Sequence, residues 1–411
     1  MALNTTIKAV SHSGEQILAS YNDIDYHFLT LFRSIPRPRF IAVIQIRILL
    51  SHLAVLLLFS EAVTANSTRT YYIAAEEILW DYAPSYPVNP MHGAEFNEDE
   101  KVFVEGNNAD RIGRQYYKAR YIEYADASFT QIKERPPEWR HLGILGPVIR
   151  ANVGDTIKVV LRNKLANMPI SLHPHGVLYR KDSEGTHYAD GTSGDDRKDD
   201  TVEPGETHTY LWQVPERSGP GPEDPSSIVW LYHSHVNEVV DTNTGLVGPI
   251  IISRRGVLQN NGKLKGIDRE FVVLFTVFDE NKSFFLDKNI STFAPAATDE
   301  KDDESFVESN LMHSMNGYVY HNLPGMTMKE GETVRWYQLS LGTEVDLHTP
   351  HWHGNTLTET GRRVDVVNLL PGTHVTVDMK PDNPGVWMYH CHVNDHIDAG
   401  MMASYTVTRR K

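Results

Sequence analysis

The chain reads as an all-β protein whose body is two β-sandwich domains in tandem. Three observations predict this. After residue 68, short segments rich in β-branched and aromatic residues recur, bounded by Gly, Pro, Asn or Asp. No long stretch carries a helical period. Four motifs also occur twice in the same order, the mark of a duplicated unit.

The predicted strands are 157–161, 247–252, 271–278, 333–339, 374–379 and 403–408. Many short strands of this kind build sandwiches or barrels. The repeat sets Val153-Gly-Asp-Thr-Ile157 beside Glu330-Gly-Glu-Thr-Val334, and His173-Pro-His175-Gly176 beside His351-Trp-His353-Gly354. Pro204-Gly205 answers Pro371-Gly372, and Tyr232-His-Ser-His235 answers Tyr389-His-Cys-His392. These matches place domain 1 at 69–254 and domain 2 at 267–411. The polar segment 255–266 is the expected linker. Residues 181–200 and 216–227 are expected as polar loops of domain 1, and 298–304 as an acidic loop of domain 2.

Residues 1–65 differ in kind. Arg33, Arg37, Arg39 and Arg47 precede the apolar run 48–59, and Val63-Thr64-Ala65 offers a small-residue cleavage site. That order is the one of a secretory signal, which predicts a secreted, periplasmic or cell-surface protein. The alternative is an N-terminal membrane anchor over 40–63. Arg47 and His52 interrupt that stretch, and the clean run is short for a span. Asn66, Asn281 and Asn289 head glycosylation sequons, which count only in a host that glycosylates exported proteins.

A chain of 411 residues accommodates two or three domains, and 40% hydrophobic with 22% charged residues is ordinary for a globular protein. The net charge of −14 makes nucleic acid and anionic membranes poor partners. An acidic surface attracts cations, or serves solubility alone. A single cysteine excludes an internal disulfide, which is unusual for an exported protein.

That cysteine lies in the chain's most informative stretch, Trp-Met-Tyr-His-Cys-His-Val-Asn-Asp-His-Ile-Asp-Ala-Gly-Met over 387–401. Cys391 stands between His390 and His392, with His396 and Met401 following. A thiolate, an imidazole and a thioether are soft ligands suited to copper, and a second, more distant His would complete a blue-copper set. A zinc site would need more cysteines in CxxC-type spacing, and none exist. On a strand, Cys391 and its two flanking histidines face opposite ways. One strand could therefore serve two metal centres. His-x-His pairs occur at 173/175, 233/235, 351/353 and 390/392. Eight imidazoles suit a copper cluster open to dioxygen. Ser234 stands where the repeat would put the cysteine, so domain 1 should lack a thiolate site.

The patterns HPHG, YHSH, HTPHWHG and HCHVNDHIDAGM resemble the multicopper oxidases. Within that family the chain is most similar to the ceruloplasmin and hephaestin group. Asp110-Arg-Ile-Gly-Arg114, Leu145-Gly-Pro147, Asp268-Arg-Glu-Phe-Val272, Asp279-Glu-Asn281 and Glu308-Ser-Asn310 carry that similarity. It covers roughly 70–411. The group has six domains; with two domains and one thiolate site, this chain looks like the two-domain laccases. The resemblance implies two Greek-key cupredoxin domains. It implies a type 1 copper on His348, Cys391, His396 and Met401, and a type 2 copper on His173 and His351. The type 3 pair takes His175, His233, His235, His353, His390 and His392. Each catalytic unit then holds four coppers and reduces O2 to water with electrons delivered through Cys391. Tyr179 falls where two-domain laccases have a tyrosine near the type 2 copper. Asp199 and Asp200 fall where the group has a calcium loop, making Ca2+ a further candidate.

The resemblance also implies a reductant and an assembly. Ferroxidases of this group bind Fe(II) with a Glu and a His in Glu-Ser-Asn-x-Met-His, an Asp before the second type 1 histidine, and a Glu from a neighbouring domain. Here those positions are Glu308, His313, Asp395 and Glu344. The expected function is thus a ferroxidase serving iron homeostasis. A laccase-like oxidase of phenols is the alternative, and a non-enzymatic cupredoxin scaffold the third reading. With four cluster histidines in each domain, a head-to-tail homotrimer would rebuild the six-domain ring, each cluster joining two chains.

Overall fold

The computed structural model describes residues 66–109, 111–299 and 301–410, and ahead of them only a pair of two-residue strands, Ala9–Val10 and Gln16–Ile17. The signal or anchor expected within residues 1–65 lies outside the described residues. Among these, no helix is long and apolar enough to cross a membrane. Asn66–Lys411 forms a compact unit of its own.

Its first half contains β1 (Thr68–Asp81), β2 (Gln115–Tyr124), β3 (Ile149–Asn152), β4 (Thr156–Asn163), β5 (His173–Pro174), β6 (Leu178–Tyr179), β7 (Thr207–Gln213), β8 (Ser227–His233) and β9 (Val247–Ser253). They form a five-stranded sheet, β6-β7-β4-β1-β2, and a four-stranded sheet, β3-β9-β8-β5. The second half contains β10 (Arg269–Asp279), β11 (Leu311–Met315), β12 (Thr327–Lys329), β13 (Val334–Ser340), β14 (Pro350–Trp352), β15 (Leu357–Glu359), β16 (Arg362–Val364), β17 (His374–Met379), β18 (Gly385–Cys391) and β19 (Met402–Thr408). These form the sheets β11-β10-β13-β17-β15-β16 and β12-β19-β18-β14. The duplication extends to strand direction. Parallel pairs β1–β4 and β3–β9 are answered by parallel pairs β10–β13 and β12–β19.

Side-chain alternation explains why these segments are strands. In β4, Ile157, Val159 and Leu161 are buried, while Lys158, Val160 and Arg162 are less so, the period of a sheet with one covered face. β10 instead is apolar throughout from Phe271 to Val277 apart from Thr276, because both of its faces are covered. Phe271, Val273, Phe275 and Val277 enter the core of the second sandwich, whereas Val272, Leu274 and Phe278 enter a core shared with Trp80, Tyr82, Ile144 and Leu145 of the first half.

Polar groups cross the same interface. Lys118 and Glu280 are both fully buried and form an ion pair. Lys118 also donates to the Asn243 carbonyl at 2.6 Å, and the Tyr82 hydroxyl donates to Glu280 at 2.5 Å. Burial pushes the Lys118 pKa down and the Glu280 pKa up, the desolvation cost that pairing must offset. The segment 255–266 is held in place: Leu258 and Leu264 bridge and are buried, and the Asn152 side chain bonds both backbone groups of Leu258.

Two local expectations need correction. The acidic stretch 298–304 is only partly a loop. It begins in a 3-10 turn, Pro295–Asp299, and ends at α4 (Glu304–Ser309; α1–α3 are Glu98–Val104, Glu238–Thr244 and Leu286–Phe293, and α5 is Asn394–Asp398). Asp303 caps α4 by accepting from the Ser305 and Phe306 amides. Asn289 is not available for glycosylation in the folded chain. It is fully buried, and its side-chain amide bonds the N–H and C=O of Tyr117 on edge strand β2, covering unpaired backbone there.

Candidate metal centres

β18 ends at Cys391, and the turn into α5 returns His396 beside it. The fully buried Met401 and Cys391 lie in the second sandwich's core, and the Cys391 amide donates to the Met401 carbonyl at 3.1 Å. His348 arrives from the loop before β14. Cys391 Sγ lies 3.8 Å from His348 Nδ1 and 3.6 Å from His396 Nδ1, and the two nitrogens are 3.2 Å apart. Three donor atoms thus face one point. Burial raises the Cys391 pKa, but contacts from His348 and His396 and the Thr349 and Val393 amides outweigh it and bring the thiol to about 6. A thiolate is accordingly accessible near neutral pH.

Asp346 explains the orientation of His348 and was missed in the sequence. Its buried carboxylate accepts from the Val277 amide at 2.7 Å and the Thr343 amide at 2.8 Å, and lies 3.2 Å from His348 Nε2. A proton held on Nε2 leaves the Nδ1 lone pair directed at Cys391 and His396. The Asp-x-His spacing was the available signal.

The eight histidines of the four His-x-His pairs form two quartets built alike. His173 pairs across the ladder with His233, and His351 with His390. In the first quartet, ring centroids lie 5.2–5.6 Å apart for the pairs His173–His235, His175–His233 and His173–His233. In the second, His351 lies 4.7 Å from His353, 5.2 Å from His390 and 5.3 Å from His392. The Nε2 atoms of His175 and His233 approach to 3.1 Å, and those of His353 and His390 to 3.0 Å. Nδ1 of His173, His233 and His390 lies within hydrogen-bond distance of the Glu184, Ser234 and Cys391 carbonyls respectively. A backbone carbonyl can only accept, so each Nδ1 carries the proton and each Nε2 is free to ligate. Burial lowers the pKa of His175 to about 4 and of His233 to about 3, and neutral imidazoles are the ligating form. Among the described residues, no ring contact joins the two quartets.

The glycine after each His-x-His has a specific task. Gly176 and Gly354 adopt φ of +75° and +72°, and a Cβ there would meet the Trp230 and Trp387 rings at 2.2 and 2.5 Å. Each indole therefore packs on bare backbone beside His175 or His353, and only glycine fits both the conformation and the gap.

The donor chemistry fits copper: a buried thiol with two imidazoles and an adjacent thioether residue at one point, and clustered imidazoles elsewhere. Among the described residues, two groups of at least three donors converge within 4.8 Å: His348, Cys391 and His396, and His351, His353 and His390. The four residues expected to bind iron form no such group. His313 is buried on β11, its ring 5.2 Å from that of His396, and Nδ1 lies 3.0 Å from the Leu311 carbonyl. Burial, then His396, lowers its pKa to about 4. Glu308, Asp395 and Glu344 are exposed. Tyr179 is half-buried with its ring 6.0 Å from that of His173. Asp199 and Asp200 are buried. Asp199 Oδ2 accepts from the Glu184 and Gly185 amides, while its Oδ1 is buried without a partner among the described residues.

Family models described as multicopper oxidase match residues 142–256 and 291–411. The chain belongs to the multicopper oxidase family. Within it the chain is ceruloplasmin- and hephaestin-like. It is 44% identical to human ferroxidase HEPHL1, 43% to human hephaestin and 45% to human ceruloplasmin, over 84%, 87% and 84% of this chain. It spans about a third of the length of these relatives, covering 30%, 31% and 33% of them. A solved multicopper oxidase aligns with TM-score 0.51 at 18% identity, over 84% of this chain and 90% of that one. A copper nitrite reductase from Nitrosomonas europaea aligns with TM-score 0.52 at 17% identity, over 83% and 94%. The fold is all-β and cupredoxin-like, as expected.

Proposed function

We propose that this protein is a copper-dependent oxidase that takes single electrons from Fe(II) and reduces O2 to water. The observation that carries this reading is the meeting of Cys391, His348 and His396 at one point, next in sequence to two imidazoles of a histidine quartet. His348, Cys391, His396 and Met401 hold the type 1 copper. His173 and His351 hold the type 2 copper, and His175, His233, His235, His353, His390 and His392 the type 3 pair. Bound copper supplies a one-electron acceptor at the thiolate and dioxygen reduction at the imidazoles. Cys391 is bonded through backbone to His390 and His392, so the two donor groups share one short covalent connection. The two sheet pairs support a division into cupredoxin domains at 69–254 and 267–411, joined by 255–266, and the charged, apolar, small-residue order of 1–65 supports a signal or anchor for a secreted or cell-surface protein.

Two separate quartets per chain support a head-to-tail homotrimer in which domain 1 of one chain completes the cluster of another. Fe(II) is the proposed substrate of Glu308, His313 and Asp395, with Glu344 from the adjacent chain. The neutral His313 ring, 5.2 Å from that of His396, supports a site close to the thiolate centre. Exposed Glu308 and Asp395 can swing to a cation, and carboxylates favour Fe(III) over Fe(II). The buried, unpartnered Asp199 Oδ1 supports a calcium ion at Asp199 and Asp200. One observation favours a phenol as the reductant instead: Val345, Leu347 and Leu370 are 58%, 50% and 56% exposed around the His348 loop, an apolar platform for an aromatic ring. Replacing Glu308 and Asp395 by Ala should raise KM for Fe(II) and spare phenol oxidation. Equal losses on both substrates, or none on Fe(II), would remove the iron site from the proposal.

A further inference from the structure

A cavity of about 760 Å3 opens where β2, the segment leading to β3 and the start of β10 meet. That volume is typical of a small-molecule site. None of the metal-site residues named above lines it.

Its charges are not balanced pair by pair. Lys133 is paired with Glu123 at 2.7 Å, and Arg150 bridges Glu270 at 2.7 and 2.9 Å. Among the described residues Arg120 and Arg135 form no ion pair, although Glu76 acts on Arg120 electrostatically and Glu134, Glu138 and Asp268 also line the cavity. Arg135 donates to the Gly143 and Leu145 carbonyls at 2.9 and 2.6 Å, which satisfies N–H groups without neutralising charge. The Arg120 guanidinium makes no hydrogen bond or ion pair among the described residues, and its Nε is buried. Three arginine Nε–H groups, of Arg120, Arg150 and Arg269, are buried without an acceptor among the described residues, and all three residues line this cavity. Burial, then the charge of Arg120, lowers the Arg135 pKa to about 10.

Buried N–H donors without acceptors are costly, and more so on charged groups. Two guanidinium ions repelling each other at the edge of a cavity add to that cost. An oxyanion answers both, since its oxygens accept from the fork of each guanidinium. We propose that this cavity binds a small oxyanion of the phosphate or carboxylate class between Arg120 and Arg135. The Trp139 ring, with the Arg150 guanidinium 5.6 Å from its centroid, supplies a flat wall for an organic portion of the ligand.

Calorimetric titration of the full chain with inorganic phosphate and with succinate, at ionic strength matched with NaCl, tests this. Saturable binding of either is expected, and which one binds assigns the chemical class. Arg120→Gln and Arg135→Gln should each weaken it by about tenfold or more. Lys133→Gln, already paired with Glu123, should leave it unchanged. The wild-type titration decides independently of any variant's folding: absence of saturable binding with both probes overturns the proposal. Equal affinity in folded Arg120→Gln and Arg135→Gln variants overturns it as well.

Discussion

Replacing Asp346 by Asn isolates the group that orients His348. The side chain keeps its size but becomes half donor. In the wild type, Oδ1 accepts from Val277 N–H and faces His348 Nε2, and Oδ2 accepts from Thr343 N–H. In either orientation of the amide, its NH2 faces at least one group that must donate. Hydrogen bonds to a charged group are worth about 1.5–3 kcal/mol each. The His348 contact, at 3.2 Å, is long for its class, so the lower end applies to ligand orientation. About 1.5 kcal/mol corresponds to a tenfold weaker copper site, at the bottom of the 10- to 100-fold range for outer-shell partners. Competition against a graded chelator, following the blue absorption of the thiolate-bound copper, measures this directly. Melting of the copper-free variant controls for folding. Unchanged copper affinity with an unchanged band would refute the claim that Asp346 sets the His348 tautomer.

Further outcomes follow from buried charge. Lys118→Met strands the Glu280 carboxylate, whose Oε2 already lacks a partner among the described residues, and should lower stability by about 3–5 kcal/mol. Lys118→Met with Glu280→Leu should recover most of that loss in thermal melts; a double variant as unstable as the single one contradicts the reasoning. His141 is fully buried, its Nε2 accepts the Val272 amide at 3.0 Å, and burial takes its pKa from 6.5 to about 3. Below pH 6.5 the unfolded chain therefore binds the extra proton, so stability falls as pH drops from 6.5 towards 3. His141→Gln should flatten that slope in melts across this range, and an unaltered slope would show that other groups control it.

Much of the fold was legible because the strands obey simple periodicity. β4 alternates, and β10 reads as an unbroken apolar run because its two faces serve two cores. The histidine pairs were legible because ligation needs both members on one face, a constraint visible as spacing. What stayed hidden depends on long-range approach. Asp346 matters only because its loop folds onto Val277, 69 residues away. Lys118 and Glu280, 162 residues apart, meet only when the halves pack. The Asn289 sequon is intact in sequence, yet its side chain is consumed by a strand edge. The iron residues were named from the family resemblance, and exposed carboxylates take positions that a shared motif does not fix. In this chain Glu308 and Asp395 do not converge with His313 within ligand distance.

Copper content and spectrum of the purified protein, before and after Cys391→Ser, test the central claim most directly. About four coppers per chain and a blue band are expected for the wild type. The variant should lose about one copper, the band and Fe(II)-dependent O2 uptake, and keep its secondary structure and solution mass. A wild-type protein without copper, or a Cys391→Ser variant that keeps the band and consumes O2 at the wild-type rate, would contradict it.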